Sequence, residues 1–191
     1  MLPPRTERTL LTPGKRFGKV VQTAYLVPDI DAAMEHWVHH AGLGPFTCYR
    51  NIELDSTFEG RTLELQIHEA LAYAGDLQIQ LVQSLNPAEE ATPYQRDIGN
   101  GRYGLHHLAF FSEDIDRDIE TARAQGFERV CVMRGKDGHR YAYCGSAVLG
   151  EVWIEFLEVY PQLTEIFASG IAAAEDWDGS DPIRNIEYAD L

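Results

Sequence analysis

Cysteine is scarce in this chain. Cys48, Cys131 and Cys144 are the only three among 191 residues. An odd, scattered set offers neither a disulfide framework nor a zinc-type or redox-type pair, so reduced buried thiols are expected. Positive charge is also thin: 16 Lys and Arg stand against 30 Asp and Glu, a formal charge of −14. Such a surface repels phosphate backbones, which argues against a nucleic-acid partner. No run of 18 or more apolar residues occurs, so no membrane-spanning helix is expected. The first residues, Met1-Leu2-Pro3-Pro4-Arg5, hold no apolar signal-peptide core, and a cytoplasmic protein is the expectation. No glycine-rich phosphate-cradling loop is found either. What remains is 45% hydrophobic and 24% charged, the composition of a globular chain able to bury a core.

Residues 1–17 read as an N-terminal arm punctuated by Pro3, Pro4, Pro13 and Gly14. A strand follows at Lys19–Val27, then a helix from Ala32 to Ala41 capped by Asp29 or Asp31 and ended by Gly42, Gly44 and Pro45. A strand is expected near Phe46–Glu53. Thr62–His68 alternates strictly, with Leu63, Leu65 and Ile67 on one face and Glu64, Gln66 and His68 on the other. Leu77–Gln83 is the next strand. After a polar connector the pattern restarts: strand His106–Ser112, helix Asp116–Gln125, and strands Val130–Arg134, Tyr141–Cys144 and Val152–Val159. The expected division is a first module at 18–85, a connector at 86–104, a second module at 105–160, and a C-terminal helix with an acidic tail at 161–191.

The restart is an internal repeat. Gln22–Asp31 aligns with His107–Asp116, matching Ala24 to Ala109, Asp29 to Asp114, Ile30 to Ile115 and Asp31 to Asp116. Leu77–Gln83 aligns with Val152–Glu158, pairing Ile79 with Ile154 and Gln80 with Glu155. Two βαβββ modules, each too small to bury both faces of its sheet, would pack by pseudo-twofold symmetry into an α+β domain with a cupped mixed sheet. The two Asp-Ile-Asp segments read as helix starts.

The symmetry singles out four polar side chains on core-lining strands. Gln22 and His107 are equivalent, as are Gln80 and Glu155. A buried polar group without a partner costs about 1–3 kcal/mol, and one divalent ion satisfies all four together. An imidazole, a carboxylate and two amide oxygens suit a six-coordinate Mn, Co, Ni or Mg ion better than closed tetrahedral Zn. The plainer readings are that Gln80, alternating with Leu and Ile, faces solvent, and that His107 is a hydrogen-bonded core histidine. Glu64, on the strand face shared with Gln66 and His68, reads by itself as part of a solvated strand face. Gln66, His68, Tyr141 and Tyr143 are candidate pocket residues. His106 neighbours His107 but should point to the opposite face.

Gly104-Leu105-His106-His107-Leu108-Ala109, followed by Glu113-Asp114-Ile115-Asp116, resembles the vicinal oxygen chelate superfamily. That superfamily includes glyoxalase I, methylmalonyl-CoA epimerase, extradiol dioxygenases and bleomycin-resistance proteins. Gln78-Ile79-Gln80 is similar to the epimerase in particular. The resemblance spans about residues 18–160. It implies the glyoxalase/bleomycin resistance/dihydroxybiphenyl dioxygenase fold, with metal positions at Gln22, Gln80, His107 and Glu155 and the second carboxylate at Glu64. Gln22 stands where the epimerase pattern has histidine. The implied activity is a metal-dependent isomerase, epimerase or lyase. It would remove a proton next to the carbonyl of a small carbonyl or thioester substrate and stabilise the enolate, with Glu155 and Glu64 as catalytic carboxylates. The alternatives are a metal-free ligand-binding protein of the bleomycin-resistance kind and an extradiol-type dioxygenase. The latter wants two His and one carboxylate, and Gln22 removes one His. A homodimer is also implied.

Overall fold

The computed structural model describes residues 16–190. Of the expected N-terminal arm, residues 1–15 lie outside the described residues. The first module runs β1 (Gln22–Leu26), α1 (Ile30–His36, continued by a π turn at Trp37–Ala41), β2 (Phe46–Phe58), β3 (Arg61–Ala74) and β4 (Leu77–Ser84). The connector carries a short helix, α2 (Pro93–Gly99). The second module runs β5 (Gly104–Ser112), α3 (Ile115–Ala124), β6 (Arg129–Arg134), β7 (Arg140–Gly145) and β8 (Trp153–Glu158). The chain ends in α4 (Pro161–Glu175), β9 (Ile183–Glu187) and a 3-10 turn at Tyr188–Asp190.

Both module helices start as the sequence dictates. Asp29 accepts the amide of Ala32 at 3.0 Å, and Asp114 accepts that of Arg117 at 3.1 Å, so each aspartate satisfies an otherwise orphaned helical N–H. Ile30 and Met34 then bury one face of α1 against Ala70, Ala72 and Leu81. Ile115, Ile119 and Ala122 do the same for α3 against Ala142, Cys144, Ile154 and Phe156. The two helices therefore cover the outer face of the sheet. Cys48, Cys131 and Cys144 are free and buried, and burial pushes all three thiols up, Cys48 to about 11.

The sheet order is β3-β4-β1-β5-β8-β7-β6-β2-β9, and β2 also pairs with β3. Eight strands thus close into a ring, and β9 lies parallel beside the first residues of β2, Phe46 opposite Ile183. The modules meet twice: β1 runs antiparallel to β5, and β2 antiparallel to β6. Inside, Leu26, Ile52, Leu65, Ile67, Met133, Tyr143 and Trp153 pack with Tyr94 of α2 at one end. At the other end Val21, Tyr73, Ala109, Leu157 and Tyr160 pack with Leu163 and Phe167 of α4. The connector and the tail, for which the sequence offered no role, supply the two ends of the ring. No helix among the described residues is long and apolar enough to cross a membrane.

Candidate functional site

Strand register decides which residues meet inside the ring. One row across the sheet reads Tyr73–Gln78–Gln22–Ala109–Glu155–Tyr143. The next reads Leu71–Gln80–Ala24–His107–Trp153. Residues two apart on a strand share a face, so all of these point inward. Ala24 and Ala109, the residues matched by the repeat, are both fully buried. Each leaves a gap between larger neighbours: Ala109 between Gln22 and Glu155, Ala24 between Gln80 and His107.

The four residues related by the repeat are buried there, with Gln22 3%, Gln80 7%, His107 0% and Glu155 4% exposed. His107 Nε2 lies 3.1 Å from Gln22 Oε1 and 3.0 Å from Glu155 Oε2. Gln22 Nε2 donates to Gln78 Oε1 at 2.5 Å, and Gln78 in turn donates to the Tyr73 hydroxyl. Gln80 donates its amide to Glu69 Oε1. Glu155 Oε2 and Gln80 Oε1 remain without an aligned donor, although buried.

A cavity of about 640 Å³ opens onto this floor. Gln22, Gln78, Gln80, Glu69 and Glu155 form its polar floor, and Asp137 and Gln162 also stand in the lining. Leu71, Leu157, Leu163 and Phe167 form apolar wall, and Tyr49, Tyr94, Tyr141, Tyr143, Tyr160 and Tyr188 surround it. Lys136 is the one cation in the lining among the described residues. Tyr143 and Tyr94 share a hydrogen bond at 2.8 Å, and Tyr141 and Tyr160 one at 3.2 Å.

Burial sets the protonation of the floor. Without a compensating charge it holds His107 neutral, lowering it to about 3, and it pushes Glu155 well above the carboxylate range. Glu69 is pushed up to about 7, chiefly by burial and against the hydrogen bond from Gln80. Two carboxyl groups that resist ionisation in one cavity are the arrangement expected of proton-transfer chemistry.

Three of the pocket expectations are corrected by strand parity. Glu64, Gln66 and His68 lie on the outer face of β3. Glu64 is exposed and accepts a hydrogen bond from Gln66 Nε2 at 2.8 Å, and His68 Nδ1 accepts the amide of Asn51 at 3.1 Å. The apolar set Leu65 and Ile67 turns inward, because the ring interior is where apolar area leaves water. Glu69 shares that parity. A charged residue continuing the buried face of an alternating strand was the signal that could have found it. Tyr141 and Tyr143 do line the cavity. The expected orientation of His106 is also corrected. The β1–β5 register passes from Ala24 opposite His107 to Tyr25 opposite Leu105, so His106 sits in a β-bulge. A bulge re-aims a side chain, and His106 is 1% exposed instead of facing outward.

The donor chemistry suits a divalent ion. For ligands about 2.1 Å from an octahedral ion, neighbouring donor atoms stand about 3 Å apart, close to the two separations at His107 Nε2. The two unaligned buried acceptors, Glu155 Oε2 and Gln80 Oε1, are what a cation would satisfy. Among the described residues no three His, Cys, Asp or Glu side chains converge in this way. Any ion held here therefore depends on carboxamides.

Residues 21–143 match the model of the Glyoxalase/Bleomycin resistance protein/Dioxygenase superfamily. No curated protein matches the chain. Among solved structures, methylmalonyl-CoA epimerase from Mycobacterium tuberculosis is 24% identical, covers 76% of this chain and 91% of its own, and superposes with a TM-score of 0.51. A hypothetical protein from Bacillus halodurans C-125 is 18% identical over 75% of this chain and 96% of its own, with a TM-score of 0.47. A Streptomyces coelicolor methylmalonyl-CoA epimerase variant in complex with 2-nitronate-propionyl-CoA is 18% identical over 73% and 93%, with a TM-score of 0.44. With the family model spanning well over half of its length, and with its eight-stranded ring of paired βαβββ modules, the chain belongs to the Glyoxalase/Bleomycin resistance protein/Dioxygenase superfamily.

Proposed function

We propose that this protein is an isomerase, epimerase or lyase that moves a proton next to the carbonyl of a small carbonyl compound or thioester, with Glu155 and Glu69 as its two carboxylates. One observation carries the reading: the buried Glu155 of the second module and the half-buried Glu69 of the first face one cavity together with the buried Gln22, Gln78 and Gln80. Glu69 takes the role that the family resemblance implied for Glu64. His107, Glu155, Gln22 and Gln80 are the residues that would hold a divalent ion (Mn, Co, Ni, Mg or Zn). That ion would supply Lewis-acid stabilisation of enolate charge.

The remaining steps belong to the protein's own groups. The carbonyl end of the substrate sits at the glutamine and carboxylate floor, and its apolar body lies against Leu71, Leu157, Leu163 and Phe167. Glu69, held by Gln80, ionises near neutral pH and takes the proton. Glu155, which burial keeps protonated, returns one from its own side of the cavity. Opposed donation inverts the carbon, and donation to a neighbouring atom isomerises the substrate. The tyrosines and α4 exclude bulk water from the carbanionic species.

A second reading is a metal-free binding protein for an apolar ligand. It is favoured by the hydrogen bonds that Gln22, Gln78 and Gln80 already make to Gln78, Tyr73 and Glu69. Metal content after purification without chelator, followed by solvent deuterium incorporation into 2-substituted acyl compounds, separates the two. Exchange at the 2-position that is lost in both Glu155→Gln and Glu69→Gln supports the enzyme. Tight ligand binding without exchange supports the binding protein.

A further inference from the structure

His106 is unusual among the buried groups because it is fully enclosed yet plays no part in the proton transfer above. The bulge in β5 turns it beside His107, and the two Nδ1 atoms lie 2.9 Å apart. Tyr94, Tyr143 and Trp153 surround its ring at centroid distances of 5.1, 5.3 and 6.4 Å. Its Nε2 faces Asp97 Oδ2 of α2 at 3.8 Å, and neither that Nε2 nor Asp97 Oδ1 has a hydrogen-bond partner. Asp97 is itself 2% exposed, with Arg102 on its other side at 3.8 Å.

Two tautomer pairs satisfy the Nδ1–Nδ1 contact. In one, His106 donates from Nδ1, and its bare Nε2 lone pair then confronts the Asp97 carboxylate. In the other, His107 donates from Nδ1 and His106 carries its proton on Nε2, aimed at Asp97. Only the second avoids lone pair against lone pair at Asp97, where moving the carboxylate by under about 1 Å completes an ordinary hydrogen bond; the bare His107 Nε2 then receives a donor from Gln22 once the Gln22 and Gln78 amides turn over, with Tyr73 donating to Gln78. We infer that His106 is a positioning residue that, oriented by Asp97, fixes His107 with its Nδ1 protonated and its Nε2 lone pair facing Gln22 and Glu155. That tautomer is the one able to ligate a cation, and a histidine ligand held through its second nitrogen binds more tightly. The inference rests, for its consequence, on the chelating reading of the site.

Two measurements test it. Long-range ¹H–¹⁵N correlation spectra of the metal-free wild-type protein should show His107 protonated at Nδ1 and His106 at Nε2; the reverse pattern overturns the inference. Calorimetric titration with Mn²⁺ should show His106→Phe, which keeps the aromatic packing, weakened about 10- to 100-fold. His106→Asn, whose oxygen can accept at the Nδ1 position, should recover most of that loss. Asp97→Asn should fall between. Wild-type-like binding by a folded His106→Phe protein overturns the inference. If the wild-type protein itself takes up no Mn²⁺, the chelating reading of the site fails, and the spectra alone decide the tautomer.

Discussion

The first module brings Gln22 and Gln80 to the floor of the cavity, and the second brings His107 and Glu155 to the equivalent places. The backbone positions match, and so do the flanking alanines, but the chemistry does not. One half offers neutral carboxamides that are already bonded to Gln78 and Glu69. The other offers an imidazole and a carboxyl group that burial strips of charge. The first half recovers a titratable group from a different strand, through Glu69 on β3. By the pairing of β3 with β4 and of β7 with β8, the counterpart of Glu69 in the second half is Tyr141. A duplicated scaffold thus fixes where side chains point without fixing what they are, and each half has filled its places differently.

The largest effect should come from the second half. Glu155→Gln and His107→Ala should each lower proton exchange by about 10²–10⁴-fold and abolish metal uptake, measured by deuterium incorporation and elemental analysis. Glu69→Gln should cost a similar factor in exchange while leaving metal content unchanged. Glu64→Gln should behave as wild type, and a loss there would restore the assignment implied by the family resemblance. Filling the shared gap should hurt both halves: Ala109→Leu should destabilise the protein by about 1–3 kcal/mol and block metal uptake, checked by thermal denaturation and titration. Gln22→His, which makes the halves alike at one position, should shift metal preference toward Ni and Zn, read by competition.

The smallest effect expected is one of pH. Glu69 holds its proton up to about 7 when folded, above the ordinary 4.5. The stability this brings is fully present below 4.5 and is lost as the pH rises through about 7. Metal-free wild-type protein should therefore lose thermal stability between pH 5 and 8 by more than Glu69→Gln does. The catalytic limb runs the other way, because the base must be ionised: exchange should rise through about pH 7.

Much of this architecture was legible in the chain. Apolar periodicity, the Asp-Ile-Asp caps and the matched alanines give two modules and their equivalence, because strand and helix periods are local properties of consecutive residues. The same pattern placed Gln22, Gln80, His107 and Glu155 on core-lining strands. What periodicity leaves undetermined is which face of an isolated strand turns inward, and that depends on partners distant in sequence. Hence Glu64, Gln66 and His68 were assigned to the cavity when their face looks outward, and Glu69 was overlooked. His106 escaped for the related reason that a one-residue bulge reverses the alternation from which orientation was read. The tail carries no chemical pattern of its own, yet it supplies Leu163 and Phe167 to the cavity because α4 packs on Val21, Tyr73 and Leu157, and Tyr188 because β9 finds an open edge on β2. Sequence alone determined the modules and the inventory of polar groups. Tertiary structure decided which of them share one enclosed volume, since burial, proton affinity and approach distance arise only once the ring has closed.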